Sequence, residues 1–464
     1  MRVRHFFEPD LLVVSETYPP YSVGGAETSL HIVLKQLSVR MRLNVISLYD
    51  GALPKLEQVD GVNVVFLPKG PASEKDLRAS LIVSLRHLYL LLCMEPGQSP
   101  AEPDIFEMIY MRTARGLKHA HFDVNKDYRD LADSFSRALV HETLRVLKPV
   151  RVHADNYRAA ALCWGMSAFF SGQSSVMIRD NRFVCARSNN SMVVGGKICA
   201  SCDRSCAAED SPKDVEGKKS ELKKIQDFRS KMIAGYKRVL VTGPHLKRIT
   251  EEHLGIKARI VRNPSDDVQM VDSMISVVAQ TPGRSVVVIG MLNENKGQLP
   301  FVKKYIDYLR AGPQPFVTFH FAGRGDRIRK QIESLMEKEK RFAVVFHDFL
   351  GREDLFRLIR SSHVVACPTI WPEPFGRVPL EAGLCGRPIV SFAVGGLPGS
   401  IQHEKTGFLV KPGDYRAFFD HQQKLLDDPE MAYAFGSAGR EFICSTYSVD
   451  ASCRELEAQL GLSE

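Results

Sequence analysis

The feature that most constrains the fold is a rhythm that runs through this 464-residue chain twice. Short apolar runs alternate with stretches whose apolar residues recur at i, i+3, i+4 and i+7, one face of a helix. The first run is Leu11 to Val14, closed by a loop, Glu16 to Gly25, with two prolines and two glycines. Leu30, Val33, Leu34 and Leu37 then mark a helix, and Leu43–Leu48 and Val62–Leu67 read as the next strands. The pattern restarts at Ser285–Ile289, after which Gly297 opens a helix carrying Phe301, Val302, Tyr305 and Leu309. Phe316–Phe321, Ala343–Phe346, His363–Ala366 and Ile389–Phe392 follow as strands. Strand–helix alternation favours a doubly wound parallel sheet, and its restart implies an α/β chain with two such units.

Asn263-Pro264 is a turn signal. It divides the chain into a first domain, 1–262, and a second, 263–445, with a last helix in 446–464. Two segments interrupt the first domain. Residues 73–148 are helical in composition and broken at Pro96–Pro103, and residues 185–224 hold four cysteines and many lysines. The 44% apolar and 25% charged content excludes disordered and collagen-like classes. A net charge of +8 without a basic run interleaved with aromatics argues against nucleic acid and suits phosphorylated ligands or an anionic surface. No stretch has the 18 apolar residues that a spanning helix needs. The nearest, Leu81–Met94, carries Arg86 and His87 and reads as a buried packing helix, with a lipid-facing helix as the alternative. The N-terminus has no secretory core, so a cytosolic protein is expected, peripheral at the inner membrane face if that helix meets lipid. Its ten cysteines are then reduced or metal-bound.

The chemistry concentrates in Cys367–Gly396, CPTIWPEPFGRVPLEAGLCGRPIVSFAVGG. A strand leads through a Pro/Gly turn into an amphipathic helix. Glu373 sits in the loop, and Glu381 on the helix eight residues later. Gly376 precedes the helix start, where unpaired N–H groups attract phosphate. The dipole term alone is worth about 0.3–1 kcal/mol, so cations must help. IGMLNENKGQ ends a strand at Gly290 and places Lys296 before the next helix. SETYPPYSVGGAET puts Gly24 and Gly25 between the first strand and first helix, where the backbone can approach a ligand closely.

EPFGRVPLEA, an E-x7-E motif, together with GGLPG and TGFLVKPGD, resembles the retaining GT-B glycosyltransferases of family 4, the glycosyl transferases group 1. The resemblance implies two Rossmann-like domains facing across a cleft. It implies a nucleotide-diphosphate sugar as donor, held mainly by the second domain, and a glycan or lipid-linked acceptor, held mainly by the first. Glu373 then contacts the donor sugar, Glu381 the ribose hydroxyls, and the backbone of Phe375, Gly376, Arg377 and Val378 the diphosphate. Lys296 pairs with the diphosphate, Gly24 and Gly25 line the cleft, and no catalytic metal is required. Bacterial cell-surface polysaccharide assembly is the implied setting. Four positions depart from the family pattern. Asp155 in VHADNYRAA stands for the second histidine of H-x-H-N and, like Asn156, is able to bind sugar hydroxyls. Arg179 precedes Asp180, Asn181 and Arg182 where relatives read H-N-x-R. Met291 replaces an arginine, for which Arg324 in FAGRGD is a candidate substitute. Gly399 replaces a glutamate. His153 reads equally as a core histidine or a sugar contact. These departures motivate one alternative to a transferase, a non-catalytic nucleotide-sugar-binding protein; among enzymes the alternative is a sugar-nucleotide epimerase.

Cys185, Cys199, Cys202 and Cys206 have the spacing C-x13-C-x2-C-x3-C. Four thiolates in a reducing compartment suit a closed, structural zinc site. Four thiols in a loop are the alternative. A similar cysteine-bearing loop occurs in a subset of the resembled family.

Overall fold

The computed structural model describes residues 8–21, 25–70, 77–93, 128–164, 173–187, 193–194, 197–199, 204–266, 268–275, 283–312 and 314–462. Its strands are β1 (Leu11–Ser15), β2 (Leu43–Tyr49), β3 (Lys55–Val59), β4 (Val62–Pro68), β5 (Val152–Asp155), β6 (Ser174–Ile178), β7 (Val193–Val194), β8 (Lys197–Ile198), β9 (Arg238–Val241), β10 (Arg259–Ile260), β11 (Arg284–Ile289), β12 (Val317–Ala322), β13 (Ala343–His347), β14 (Val364–Cys367), β15 (Ile389–Phe392) and β16 (Gly407–Val410). Its helices are α1 (Gly25–Ser38), α2 (Leu77–Cys93), α3 (Tyr128–Leu147), α4 (Tyr157–Cys163), α5 (Ala207–Asp210), α6 (Val215–Ala234), α7 (Pro244–Leu254), α8 (Val268–Ile275), α9 (Gln298–Arg310), α10 (Asp326–Met336), α11 (Arg352–Ser361), α12 (Val378–Leu384), α13 (Tyr415–Asp427), α14 (Pro429–Thr446) and α15 (Val449–Leu460).

The first lobe is built on a sheet ordered β10-β9-β6-β5-β1-β2-β4-β3, and the second on β13-β12-β11-β14-β15-β16. Both are parallel except for β3, which pairs antiparallel with β4 at an edge. LLVVS of β1 and IVSF of β15 are buried along their whole length, as strands covered by helices on both faces must be. Separate apolar clusters cover the two faces of the first sheet, and one large cluster surrounds the second. The order reverses between β1 and β5, and again between β11 and β14. Crevices at the carboxyl ends of such strands are where ligands bind in open α/β sheets.

In the helical insertion, Leu81, Leu85, Leu88 and Leu92 of α2 are buried with Phe135 and Leu139 of α3 in the first-lobe core. The expected packing helix is therefore seen over these residues; the break at Pro96–Pro103 lies outside the described ones. Among the described residues no helix is long and apolar enough to cross a membrane. The last helix, α15, is capped by Ser448, whose hydroxyl accepts from Ala451 N at 3.2 Å, and rests on the first lobe. Cys453, Leu456 and Leu460 join Leu30, Val33, Leu34 and Leu37 of α1 in one cluster. The chain crosses between lobes twice, and the two crossings touch where Ser265 N donates to Tyr447 O at 2.7 Å.

Candidate active site

The loops after β11, β14 and β15 converge at the second sheet's reversal point. Asn295 O accepts from Ile370 N and Trp371 N, each at 3.2 Å, and from Thr369 Oγ1 at 3.0 Å. The next residues turn back so that Glu373 O accepts from Gly396 N at 2.6 Å. A Cβ on Gly395 would overlap the Glu373 backbone, so the turn after β15 supports the Glu373 loop through a side-chain-free contact. Gly376 has φ +83°, a conformation that glycine adopts at little cost.

Glu373 is 7% exposed, and its carboxylate pairs with Lys296 Nζ. Lys296 closes a short turn in which Asn293 Oδ1 accepts its backbone N–H at 3.1 Å. The lysine stem crosses Gly290, 3.6 Å from where a Cβ would stand. Below them, burial pushes the Cys367 thiol up to about 11, with Glu373 adding to the rise and Lys296 opposing it. The thiol therefore stays neutral near pH 7.

The second acid, Glu381, lies in α12 and is buried. Arg352 Nη1 donates to its Oε1 at 3.1 Å, and Arg377 Nε stands 3.8 Å from the same oxygen. Both arginines also hold the buried Asp266, Arg377 Nη2 at 2.6 Å and Arg352 in closer contact. Burial works against the Arg352 charge, but Glu381 and Asp266 outweigh it and raise its pKa. Arg377 reaches into the first lobe, where Nη1 donates to Ser29 Oγ at 2.7 Å. A Cβ on Gly25 would stand 2.9 Å from Arg377 Cδ, so this arginine lies against the glycine expected to line the cleft. Phe375 packs on Tyr447 with ring centroids 5.7 Å apart, and Val378 packs into the second-lobe core.

Across the cleft, Asp155 ends β5. Arg179 Nε donates to both its carboxylate oxygens, at 2.7 and 2.8 Å, and Arg179 Nη1 donates to Asn263 Oδ1 at 2.6 Å. Burial would raise the Asp155 pKa, but the Arg179 charge and His153 bring it below the usual value. His153 Nδ1 meets Ser175 Oγ at 2.9 Å inside the core. Asn156 Oδ1 accepts from Ala159 N at 3.0 Å and caps α4. Asn181 Nδ2 crosses the cleft to Pro372 O at 3.0 Å, and Arg182 pairs with Asp180 at 2.8 Å.

Glu373, Lys296, Phe375, Gly376, Arg377, Val378, Glu381 and Gly25 thus belong to one neighbourhood, and Asp155 connects to it through Arg179 and Asn263. Gly24 lies outside the described residues. The Arg324 guanidinium sits 5.3 Å from the Phe349 ring centroid. Its carbonyl accepts from Leu292 N at 2.7 Å, beside Met291, which is 66% exposed. Gly399 O accepts from the Tyr447 hydroxyl at 2.7 Å. Sequence reasoning missed Asp266, Arg352 and Ser29, and read Asn263 only as a turn.

Cys185 is buried at the first-lobe core, Cys206 is buried in a small cluster with Ala186, Ala207 and Leu222, and Cys199 is half-buried. Cys202 lies outside the described residues. Among the described residues no three His, Cys, Asp or Glu side chains come together as metal ligands, so these three cysteines do not by themselves form a cage.

Residues 283–428 match the family described as glycosyl transferases group 1. An uncharacterized glycosyltransferase of Methanocaldococcus jannaschii is 36% identical over 186 residues, 39% of this chain and 45% of that protein. The chain thus spans less than half the length of this curated relative. Sucrose-phosphate synthase from Thermosynechococcus elongatus superposes with a TM-score of 0.61 at 16% identity, covering 98% of this chain and 100% of that one. Anabaena HepE in complex with UDP-glucose gives 0.61 at 15% identity, with the same coverage. At such identities the likeness shows the fold alone, two Rossmann-like domains in the GT-B arrangement.

Proposed function

We propose that this chain is a retaining glycosyltransferase that moves a sugar from a nucleotide-diphosphate sugar to a glycan or lipid-linked acceptor. The observation that carries the reading is the Glu373–Lys296 pair at the second sheet's reversal point, inside the segment that matches a glycosyltransferase family. HepE, which shares the fold, was crystallised with UDP-glucose, which supports a donor of that class here.

On this reading the acidic partner of Lys296 exchanges for the donor. The ammonium turns toward the diphosphate and stabilises the charge that develops as the sugar leaves, which is electrostatic transition-state stabilisation. Glu373, its oxygens then available, accepts hydrogen bonds from the sugar hydroxyls. Glu381 keeps one oxygen on Arg352 and offers the other to the ribose diol. Retention follows if the acceptor attacks the face that the diphosphate leaves, with a phosphate oxygen taking the acceptor proton. The first lobe would hold the acceptor, and bacterial cell-surface polysaccharide assembly is the setting we favour. The cysteine loop is still proposed to take a structural metal, which requires its cysteines to draw together on binding; metal analysis of chelator-free protein tests it, and less than stoichiometric metal refutes it.

A second reading, a nucleotide-sugar-binding protein without turnover, is favoured by Met291 where related enzymes carry a cation, and by Asp155 being taken up by Arg179. The discriminating experiment incubates the protein with UDP-, GDP- and ADP-sugars and follows slow hydrolysis alongside thermal protection. Hydrolysis that disappears in Glu373→Gln supports the transferase. Protection by a donor without hydrolysis or transfer supports the second reading.

A further inference from the structure

The connection between the lobes is gripped by side chains from both. Arg179, held by Asp155, donates to Asn263 Oδ1 at 2.6 Å. The next residue, Pro264, offers its carbonyl to Arg377 Nη1 at 3.3 Å. Asp266, buried two residues on, takes both Arg377 and Arg352. The first lobe also holds Arg377 directly, because Ser29 Oγ accepts from it at 2.7 Å while donating to Gly25 O at 2.9 Å. Gly25 leaves room for the arginine stem.

Arg377 and Glu381 are four residues apart at the start of α12, a spacing at which opposite charges pair on a helix. Their side chains nevertheless stand at 3.8 Å, because Ser29, Pro264 and Asp266 draw the guanidinium the other way. We infer that Arg377 is a positioning residue that couples lobe closure to Glu381, with Asp266 as its pivot. With the lobes together, Arg377 is held by Ser29 and Asp266, and Glu381 is left to its partner Arg352 and to the ligand. When the first lobe withdraws, Arg377 loses Ser29 and swings onto Glu381, competing for the carboxylate that the ribose needs. The inference rests on the glycosyl-transfer reading for what Glu381 binds, but the coupling itself does not need turnover.

The test is a double-mutant cycle of Ser29→Ala and Arg377→Met in the full chain, read by small-angle scattering without nucleotide and by the Kd for UDP, GDP and ADP. Each single variant should broaden the interlobe distance distribution. Ser29→Ala should add nothing in the Arg377→Met background, since the hydroxyl acts through that guanidinium. Ser29→Ala should also weaken whichever diphosphate binds wild type by about tenfold, the size expected for one hydrogen bond to a charged group, and Arg377→Lys should recover part of the loss. Gly25→Ala, which crowds the stem without removing a polar group, should mimic Ser29→Ala. Additive effects of the two substitutions, or an unchanged distribution in Arg377→Met, would overturn the coupling. Failure of the transferase reading shows separately, as wild-type protein that turns over no donor.

Discussion

Lys296 and Glu373 neutralise one another, and that sets what each substitution should do. Lys296 is partly exposed and Glu373 is nearly buried. Lys296→Met should lower donor hydrolysis by roughly 10²–10³-fold, the usual cost of removing one transition-state charge partner, while steady-state kinetics and a thermal scan show the fold retained. The Asp155–Arg179 pair behaves differently because both partners are buried. Asp155→Leu leaves a guanidinium unpaired and should cost about 3–5 kcal/mol in urea unfolding, with Asp155→Leu/Arg179→Met substantially less harmful. The sign with pH follows from the lowered Asp155 pKa. Its contribution is complete above the ordinary aspartate value of about 3.9 and is lost as pH falls through the folded value. Acidification through that range should therefore cost wild type more unfolding free energy than it costs the double variant. Asp155 and Arg179 read as two separate departures in the sequence. They face each other because β5 pairs with β6, an adjacency that no local spacing announces.

At the scale of elements, the loop that carries Glu373 is held by a neighbour with no side chain to move. Gly376→Ala would place a Cβ 2.5 Å from Leu397 Cδ2 at a φ of +83°. The left-handed conformation alone costs a non-glycine residue about 1–2 kcal/mol, and the clash adds to it. We expect a lower unfolding midpoint and a proportionally larger loss of donor turnover, since Glu373 shifts with the loop. Buried strands were legible as apolar runs, and the Glu373–Glu381 unit as strand, turn and helix. The edge strand Lys55–Val59 was not, because none of its residues is fully buried and it has no apolar run to read. The contacts around Arg377 were least legible of all. Its bond to Ser29 joins residues 348 positions apart, and Asp266 and Arg352 have the same spelling as surface charges.

At the scale of the molecule, the cleft exists because each lobe lends the other a few polar groups. Asn181 reaches Pro372, Arg377 reaches Ser29, and the tail helix α15 returns to α1. Removing residues 448–464 would uncover the α1 face formed by Leu30, Leu34 and Leu37. It would also forfeit the burial of Leu456 and Leu460, each worth roughly 1.5–3 kcal/mol. Calorimetry of that truncation should show the first lobe melting well below the second, instead of one shared transition. The same return of the tail has a consequence during synthesis. The first lobe leaves the ribosome about 200 residues before the helix that seals it. At roughly 5–20 residues per second it waits ten to forty seconds with a greasy groove open to solvent. For a nascent chain of this design, chaperone demand is set by translation speed across the second half, and slow codons there should lower the yield of folded protein more than slow codons near the start.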